Sequence, residues 1–144
     1  MKKKKILLIN GPNLNLLGQR ESIIYGSTSF NKLNKYLKTY CLNNNCNIKL
    51  FQSNSESEII DKIQKARNII DGIIINAGAY THTSIAILDA LRSFQGLIYE
   101  VHISNIYNRE PYRRNSYISE VSHGVICGLG VLGYEVAIDA VLYN

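Results

Sequence analysis

At 144 residues the chain is the size of one domain, on a soft prior of about 150 residues per domain. Its 46% hydrophobic and 19% charged residues exclude a disordered polymer. The net charge of +5 is concentrated in Lys2, Lys3, Lys4 and Lys5. The remaining 12 basic and 11 acidic residues nearly cancel, which argues against a nucleic-acid surface spread over the body.

Cys41, Cys46 and Cys127 form no CxxC pair and have no histidine beside them, so structural zinc and a disulfide framework both fit poorly. Buried thiols in a reducing compartment fit best. No apolar run reaches the roughly 18 residues that span a membrane. The stretch Ile6-Leu7-Leu8-Ile9 is also too short for a signal-peptide core. The expectation is a cytoplasmic protein without a membrane partner.

In chain order, residues 1–5 read as a basic tail and Ile6–Ile9 as a buried strand, ended by Asn10-Gly11-Pro12. Ser27, Thr28 and Ser29 are capping candidates for a helix whose apolar face is Phe30, Leu33, Leu37 and Cys41. Asn43-Asn44-Asn45 ends it, and Ile48–Gln52 reads as a second strand. Ser55 and Glu58 match a capping box, with a helix face of Ile59, Ile60, Ile63, Ala66 and Ile70 behind it. Asp71-Gly72 turns the chain into the strand Ile73-Ile74-Ile75. Thr81 or Thr83 would cap a third helix carrying Ile87, Leu88 and Leu91, closed by Gly96. Leu97–Ile103 reads as strand four, Asn105–His123 as a loop rich in Arg, Tyr and Ser, Gly124–Cys127 as strand five and Val131–Leu142 as a last helix.

Strands alternating with helices over short connections predict right-handed βαβ units in a parallel sheet covered on both faces, within a single catalytic or binding domain spanning 1–144. Ligands in such sheets sit beyond the carboxyl ends of the strands, where the strand order reverses. The run Gly128-Leu129-Gly130-Val131-Leu132-Gly133 has the G-x-G-x-x-G form of a dinucleotide site. Only 11 residues come after Gly133, too few for the next strand and its ribose-binding acid. Close packing of helix on sheet is the better reading.

Three strand ends carry polar residues where a buried sheet favours apolar ones. The loop after strand one is long for a βα connection, and its segment 18–26, bracketed by Gly18 and Gly26, is a candidate lid. Within it Arg20 and Tyr25 stand close in sequence. A guanidinium near a phenol favours the phenolate, which makes a base usable near neutrality; the alternative is a surface tyrosine that simply packs. Glu100, His102 and Ser104 recur at period two. A carboxylate beside an imidazole fixes its tautomer and suits a general acid; the alternative is a hydrogen-bonded pair on a half-solvated edge strand.

The third strand end, Asn76-Ala77-Gly78, leads to Thr81-His82-Thr83-Ser84 at a helix start, where free N–H groups suit an anion or merely make a turn and cap. Asp89 reads as an exposed helix residue or a subunit contact. Arg109, Arg113 and Arg114 suit an anion or sugar-like hydroxyls, or form a solvated cluster, and His123 carries no assigned role. A cleft that gathers a tyrosine base, a histidine acid, amide groups and arginines suits proton abstraction next to a carbonyl with departure of a hydroxyl.

These stretches resemble the type II 3-dehydroquinate dehydratases. The resemblance lies in Gly11-Pro12-Asn13-Leu14-Asn15-Leu16-Leu17-Gly18 with Arg20-Glu21 and Tyr25-Gly26, then Asn76-Ala77-Gly78 and Thr81-His82-Thr83-Ser84. It continues through Glu100-Val101-His102-Ile103-Ser104-Asn105, Arg113-Arg114-Asn115-Ser116-Tyr117 and Gly124–Gly130, in one order over nearly the whole chain. Ser22 stands where the family usually has proline.

The resemblance implies a flavodoxin-like three-layer α/β fold with a five-stranded parallel sheet. It also implies reversible dehydration of 3-dehydroquinate to 3-dehydroshikimate in the shikimate pathway. By motif position Tyr25 would be the base, Arg20 would lower its pKa, and Asn13 would hold a water that stabilises the enolate. His102, oriented by Glu100, would protonate the leaving hydroxyl. Asn76 and the Ile103 and Ser104 N–H groups would hold the substrate carboxylate, His82 and Arg113 the ring hydroxyls, and Asp89 would reach a neighbouring subunit's site. The family is typically a dodecamer built from trimers, and its route needs no cofactor, metal or Schiff-base lysine. The competing readings are a flavin-binding module of similar fold, which would need a hydroxyl- and glycine-rich loop after strand one, and nucleic-acid binding through the lysine tail.

Overall fold

A computed structural model describes residues 2–19 and 28–144. Five parallel strands, β1 (Lys5–Asn10), β2 (Asn47–Gln52), β3 (Gly72–Asn76), β4 (Leu97–His102) and β5 (Gly124–Cys127), form one sheet in the order β2-β1-β3-β4-β5. Between them run α1 (Phe30–Asn43), α2 (Glu56–Ala66) and α3 (Ile85–Arg92), and α4 (Leu132–Tyr143) comes after β5. The order 2-1-3-4-5 is that of the flavodoxin-like doubly wound sheet, whose switch point lies between β1 and β3.

Alternation along the strands divides the core. Ile6, Leu8, Ile74, Tyr99 and Val101 face one layer with Leu33, Leu37, Tyr134 and Ile138 of α1 and α4. Leu7, Ile9, Ile73, Ile75 and Ile98 face the other with Ile59, Ile63, Ile87 and Leu91 of α2 and α3. Continuous apolar strands are what a sheet covered on both faces requires. Glu100 and His102 share a strand face with Ile98, so two ionisable groups occupy positions that period two reserves for core.

Several expected boundaries shift. Lys5 opens β1, and Lys4 is tied down through its Nζ to the Val141 carbonyl at 2.9 Å, so the basic tail is shorter than residues 1–5. Helix α2 starts behind Ser55 as expected but stops at Ala66. Asn68 turns the chain at φ 64°, and Ile70 is buried beyond the helix rather than on it. The third helix is capped by Ser84, whose Oγ accepts from Ile87 N at 2.9 Å, not by Thr81 or Thr83. Gly78–His82 form a separate 3-10 turn ahead of it, which leaves the cap to Ser84, and the helix ends at Arg92, short of Gly96. The Asn105–His123 loop contains three such turns, and β4 is an interior strand, which removes the edge-strand reading of the Glu100–His102 pair.

Cys41 and Cys46 are buried free thiols, and burial pushes the Cys41 thiol up to about 12. Among the described residues no helix is long and apolar enough to cross a membrane.

Two glycine positions bear on the site. A Cβ on Gly11 would lie 2.3 Å from the Ala77 carbonyl oxygen, so only glycine lets the ends of β1 and β3 approach as they do. In the Gly128–Gly133 run, a Cβ on Gly133 would press on Val101 and Ile126, which is the expected helix–sheet packing. Gly128 and Gly130 have φ of 85° and 62° and donate N–H bonds to the carbonyls of His102 and Ile103. The run therefore anchors the end of β4.

Candidate active site

The carboxyl ends of β1, β3 and β4 open into one cleft, in the place where doubly wound sheets bind their ligands. Pro12, Asn13 and Leu14 line it from the loop after β1, and Asn76, Gly78, Ala79 and His82 from the segment after β3. His102, Ile103, Ser104, Ile106, Arg109 and Arg113 complete it. Two arginines and no carboxylate reach the wall among the described residues, so the cleft favours an anion.

Glu100 sits beneath that wall with no exposure. Its Oε2 is hydrogen-bonded to His102 Nε2 and accepts from Ser116 Oγ at 2.8 Å, while Oε1 accepts from Ser119 Oγ at 2.6 Å. Burial alone would raise the carboxyl pKa. The bond and charge of His102 and the two serine hydroxyls outweigh it and hold Glu100 below the ordinary carboxylate range. An ionised carboxylate only accepts, so His102 Nε2 carries a proton and Nδ1 is the nitrogen left for the cleft.

His82 stacks near His102, with ring centroids 6.4 Å apart. Its Nδ1 lies 2.7 Å from the Asn115 carbonyl, which can only accept, so Nδ1 is the protonated nitrogen. Burial lowers the His82 pKa, the His102 and Arg113 charges lower it further, and the bond to Asn115 opposes both. The ring is thereby kept neutral near pH 7, with Nε2 as an acceptor for a hydroxyl.

Arg113 Nε pairs with Glu110 at 2.9 Å, and Arg109 Nη1 donates to Ser104 Oγ at 3.5 Å. Arg114 lies outside the cleft lining and holds the Arg109 carbonyl through Nη2 at 3.2 Å. Asn13, in the left-handed region at φ 71°, is fixed by its N–H on Asn54 Oδ1 at 3.0 Å. Asp89 stands exposed on α3 against Arg92 at 3.4 Å and does not line its own chain's cleft. His123 Nδ1 accepts from Ile98 N at 3.1 Å and joins the start of β5 to β4.

The structure thus brings Asn13, Asn76, His82, His102, Ile103, Ser104 and Arg113 together, with Glu100 behind them. Arg20, Tyr25 and most of the 18–26 lid expectation lie outside the described residues. The helix N-terminus expected to meet an anion does not line the cleft: Ser84 occupies the α3 cap, and the 3-10 turn stands in its place. A flavin site would need a glycine- and hydroxyl-rich loop at the end of β1. The residues there instead wind into a 3-10 turn, Leu14–Leu16, with Leu14 buried.

Sequence reasoning gave no role to Ser116, Ser119, Asn10 and Tyr134. Ser116 lies within the Arg113–Tyr117 motif and Asn10 within the turn that closes the first apolar strand, whereas Ser119 and Tyr134 carry no such signal. Losing the serine donors moves the Glu100 titration upward. Stability from a lowered carboxyl pKa is full above the unfolded value and is lost as pH falls through the folded one. Ser116→Ala with Ser119→Ala is therefore less stable than the unmodified chain near neutral pH, and the difference narrows as pH falls through the Glu100 titration, read from denaturant midpoints across the acid range.

A parallel sheet of order 2-1-3-4-5 with its cleft at the switch point defines the class: a flavodoxin-like α/β protein carrying an imidazole–carboxylate pair in an anion-favouring site. Within that class the family model described as Dehydroquinase class II matches residues 4–142. A catabolic 3-dehydroquinase of Penicillium rubens is 51% identical over 98% of this chain and 91% of its own length. A 3-dehydroquinate dehydratase of Histophilus somni is 50% identical over 94% of this chain and 90% of its own. The crystal structure of a type II dehydroquinase from Butyrivibrio crossotus superposes with a TM-score of 0.96 at 49% identity, over 97% of this chain and 98% of that one. The chain belongs to the class II dehydroquinase family.

Proposed function

We propose that the chain dehydrates 3-dehydroquinate to 3-dehydroshikimate, as a hydro-lyase working through an enolate. The observation that carries this reading is the buried Glu100–His102 pair opening on a cleft with arginines and no carboxylate in its wall among the described residues. A substrate with one carboxylate, a ketone and several hydroxyls suits that wall.

Tyr25, as the phenolate favoured by Arg20, takes a proton from the carbon next to the ketone. The electron pair moves onto the ketone oxygen, and a water held by Asn13 stabilises the enolate formed. The enolate then collapses, the carbon–oxygen bond to the leaving hydroxyl breaks, and His102 supplies the proton that completes the departing water. Because Nε2 is engaged by Glu100, the proton delivered is the one on Nδ1. The substrate carboxylate lies on the Asn76 amide and the Ile103 and Ser104 N–H groups. His82 accepts from a ring hydroxyl through Nε2, and Arg113 donates to another. Asp89, exposed and outside the lining of its own cleft, serves a neighbouring subunit's site in a dodecamer built from trimers, within the cytoplasm.

The test is direct. Purified protein added to 3-dehydroquinate is expected to raise the conjugated enone absorbance of 3-dehydroshikimate, with the same rate in the presence of a chelator or of borohydride. Borohydride inactivation would indicate an imine route, and no product from folded, assembled protein would remove the reading.

A further inference from the structure

Asn10 and Asn76 are register partners at the carboxyl ends of β1 and β3, and both side chains are buried. They meet Tyr134, from the first turn of α4, which is also buried, at 1% exposure. The Tyr134 hydroxyl lies 2.6 Å from Asn10 Oδ1 and 2.9 Å from Asn76 Nδ2. Asn76 Oδ1 accepts from the Gly78 N–H at 3.2 Å, which independently identifies the oxygen end of that amide.

The hydrogen bonds then run in one direction only. Asn10 Oδ1 has no proton, so Tyr134 donates to it. Having spent its proton there, the phenol oxygen can only accept from Asn76, and the Asn76 amide must turn its NH₂ group toward it. An amide nitrogen carries two protons. One is taken by Tyr134, and the second remains for whatever occupies the cleft that Asn76 lines. Flipped by half a turn, the same amide would present an oxygen lone pair to an anion. Burial pushes the Tyr134 phenol further above its usual range, so the donor role holds throughout the neutral range.

We infer that Tyr134 is a positioning residue: with Asn10 it locks the Asn76 carboxamide in the orientation that offers an N–H to the substrate carboxylate. The inference rests on the proposed reading of Asn76 as a carboxylate contact. Tyr134 would thereby couple the last helix to substrate affinity without touching substrate itself.

Kinetics of Tyr134→Phe, Asn76→Ala and the double variant test this, with unfolding midpoints measured alongside and rates taken well below them. Tyr134→Phe is expected to raise KM for 3-dehydroquinate by about tenfold, the scale of a weakened hydrogen bond to a charged group, with kcat within about twofold. Asn76→Ala should raise KM further, and the double variant should match Asn76→Ala alone, because the tyrosine acts only through that amide. Asn10→Ala keeps the aromatic ring and releases the phenol proton, so it should reproduce the KM rise even if Tyr134→Phe folds poorly. An unchanged KM in both Tyr134→Phe and Asn10→Ala, or an effect of Tyr134→Phe that multiplies in full on Asn76→Ala, would overturn the inference alone. An unchanged KM in Asn76→Ala would instead remove the reading of Asn76, and the inference with it.

Discussion

Replacing His102 with alanine is expected to lower kcat for dehydration by about a thousandfold, the middle of the range for a positioned acid or base, with KM within a few-fold. The expectation comes from its surroundings. The ring is 5% exposed, its Nε2 is held by the Glu100 carboxylate, which two serine hydroxyls also engage, and Nδ1 is the nitrogen left to face substrate. Alanine leaves the carboxylate with its serine donors, so the sheet retains a satisfied buried acid while the transferable proton is gone. The leaving hydroxyl would then have to depart unprotonated or draw its proton from a misplaced water. Steady-state rates, with the unfolding transition as a control for folding, check the split between kcat and KM. Near-normal turnover would rule His102 out as the acid.

Tyr25→Phe carries the other large effect: kcat is expected to fall by about three orders of magnitude, with no change in the denaturant midpoint. Phenylalanine keeps the aromatic ring and removes only the oxygen that could take a proton. A free phenol, with a pKa of about 10, is a weak base supply at neutral pH, so the proposal also requires the Arg20 charge. Turnover by Tyr25→Phe comparable to the unmodified chain would remove the tyrosine from the mechanism.

Much of this arrangement was legible in the residues themselves. The strands lie within about a residue of where apolar runs bounded by turn residues place them. The Glu100–His102 pair shows as a break in period two on a strand that is otherwise core. What could not be read has physical reasons. Thr81, Thr83 and Ser84 are all competent caps, and sequence alone does not reveal that Gly78–His82 wind into a 3-10 turn that leaves the cap to Ser84. Ile70 continues the helical period of α2, yet Asn68 turns the chain two residues earlier, and Ile70 reaches the same core from outside the helix. Tyr134 reads as one more large residue in an apolar last helix. Its hydroxyl matters only because the parallel register of β1 and β3 sets Asn10 beside Asn76 beneath it. Ser119 serves Glu100 through a 3-10 segment 19 residues away, a separation that no local pattern encodes.

The division of labour around the enolate is the centre of the account, and solvent exchange reads it most directly. The His102→Ala and Tyr25→Phe variants are incubated with 3-dehydroquinate in deuterated water, and the unreacted substrate is recovered and examined by NMR. With the acid removed and the base intact, the account predicts deuterium at the carbon next to the ketone in substrate recovered from His102→Ala. With the base removed, it predicts none from Tyr25→Phe. Deuterium from Tyr25→Phe and none from His102→Ala would reverse the two roles and contradict the account.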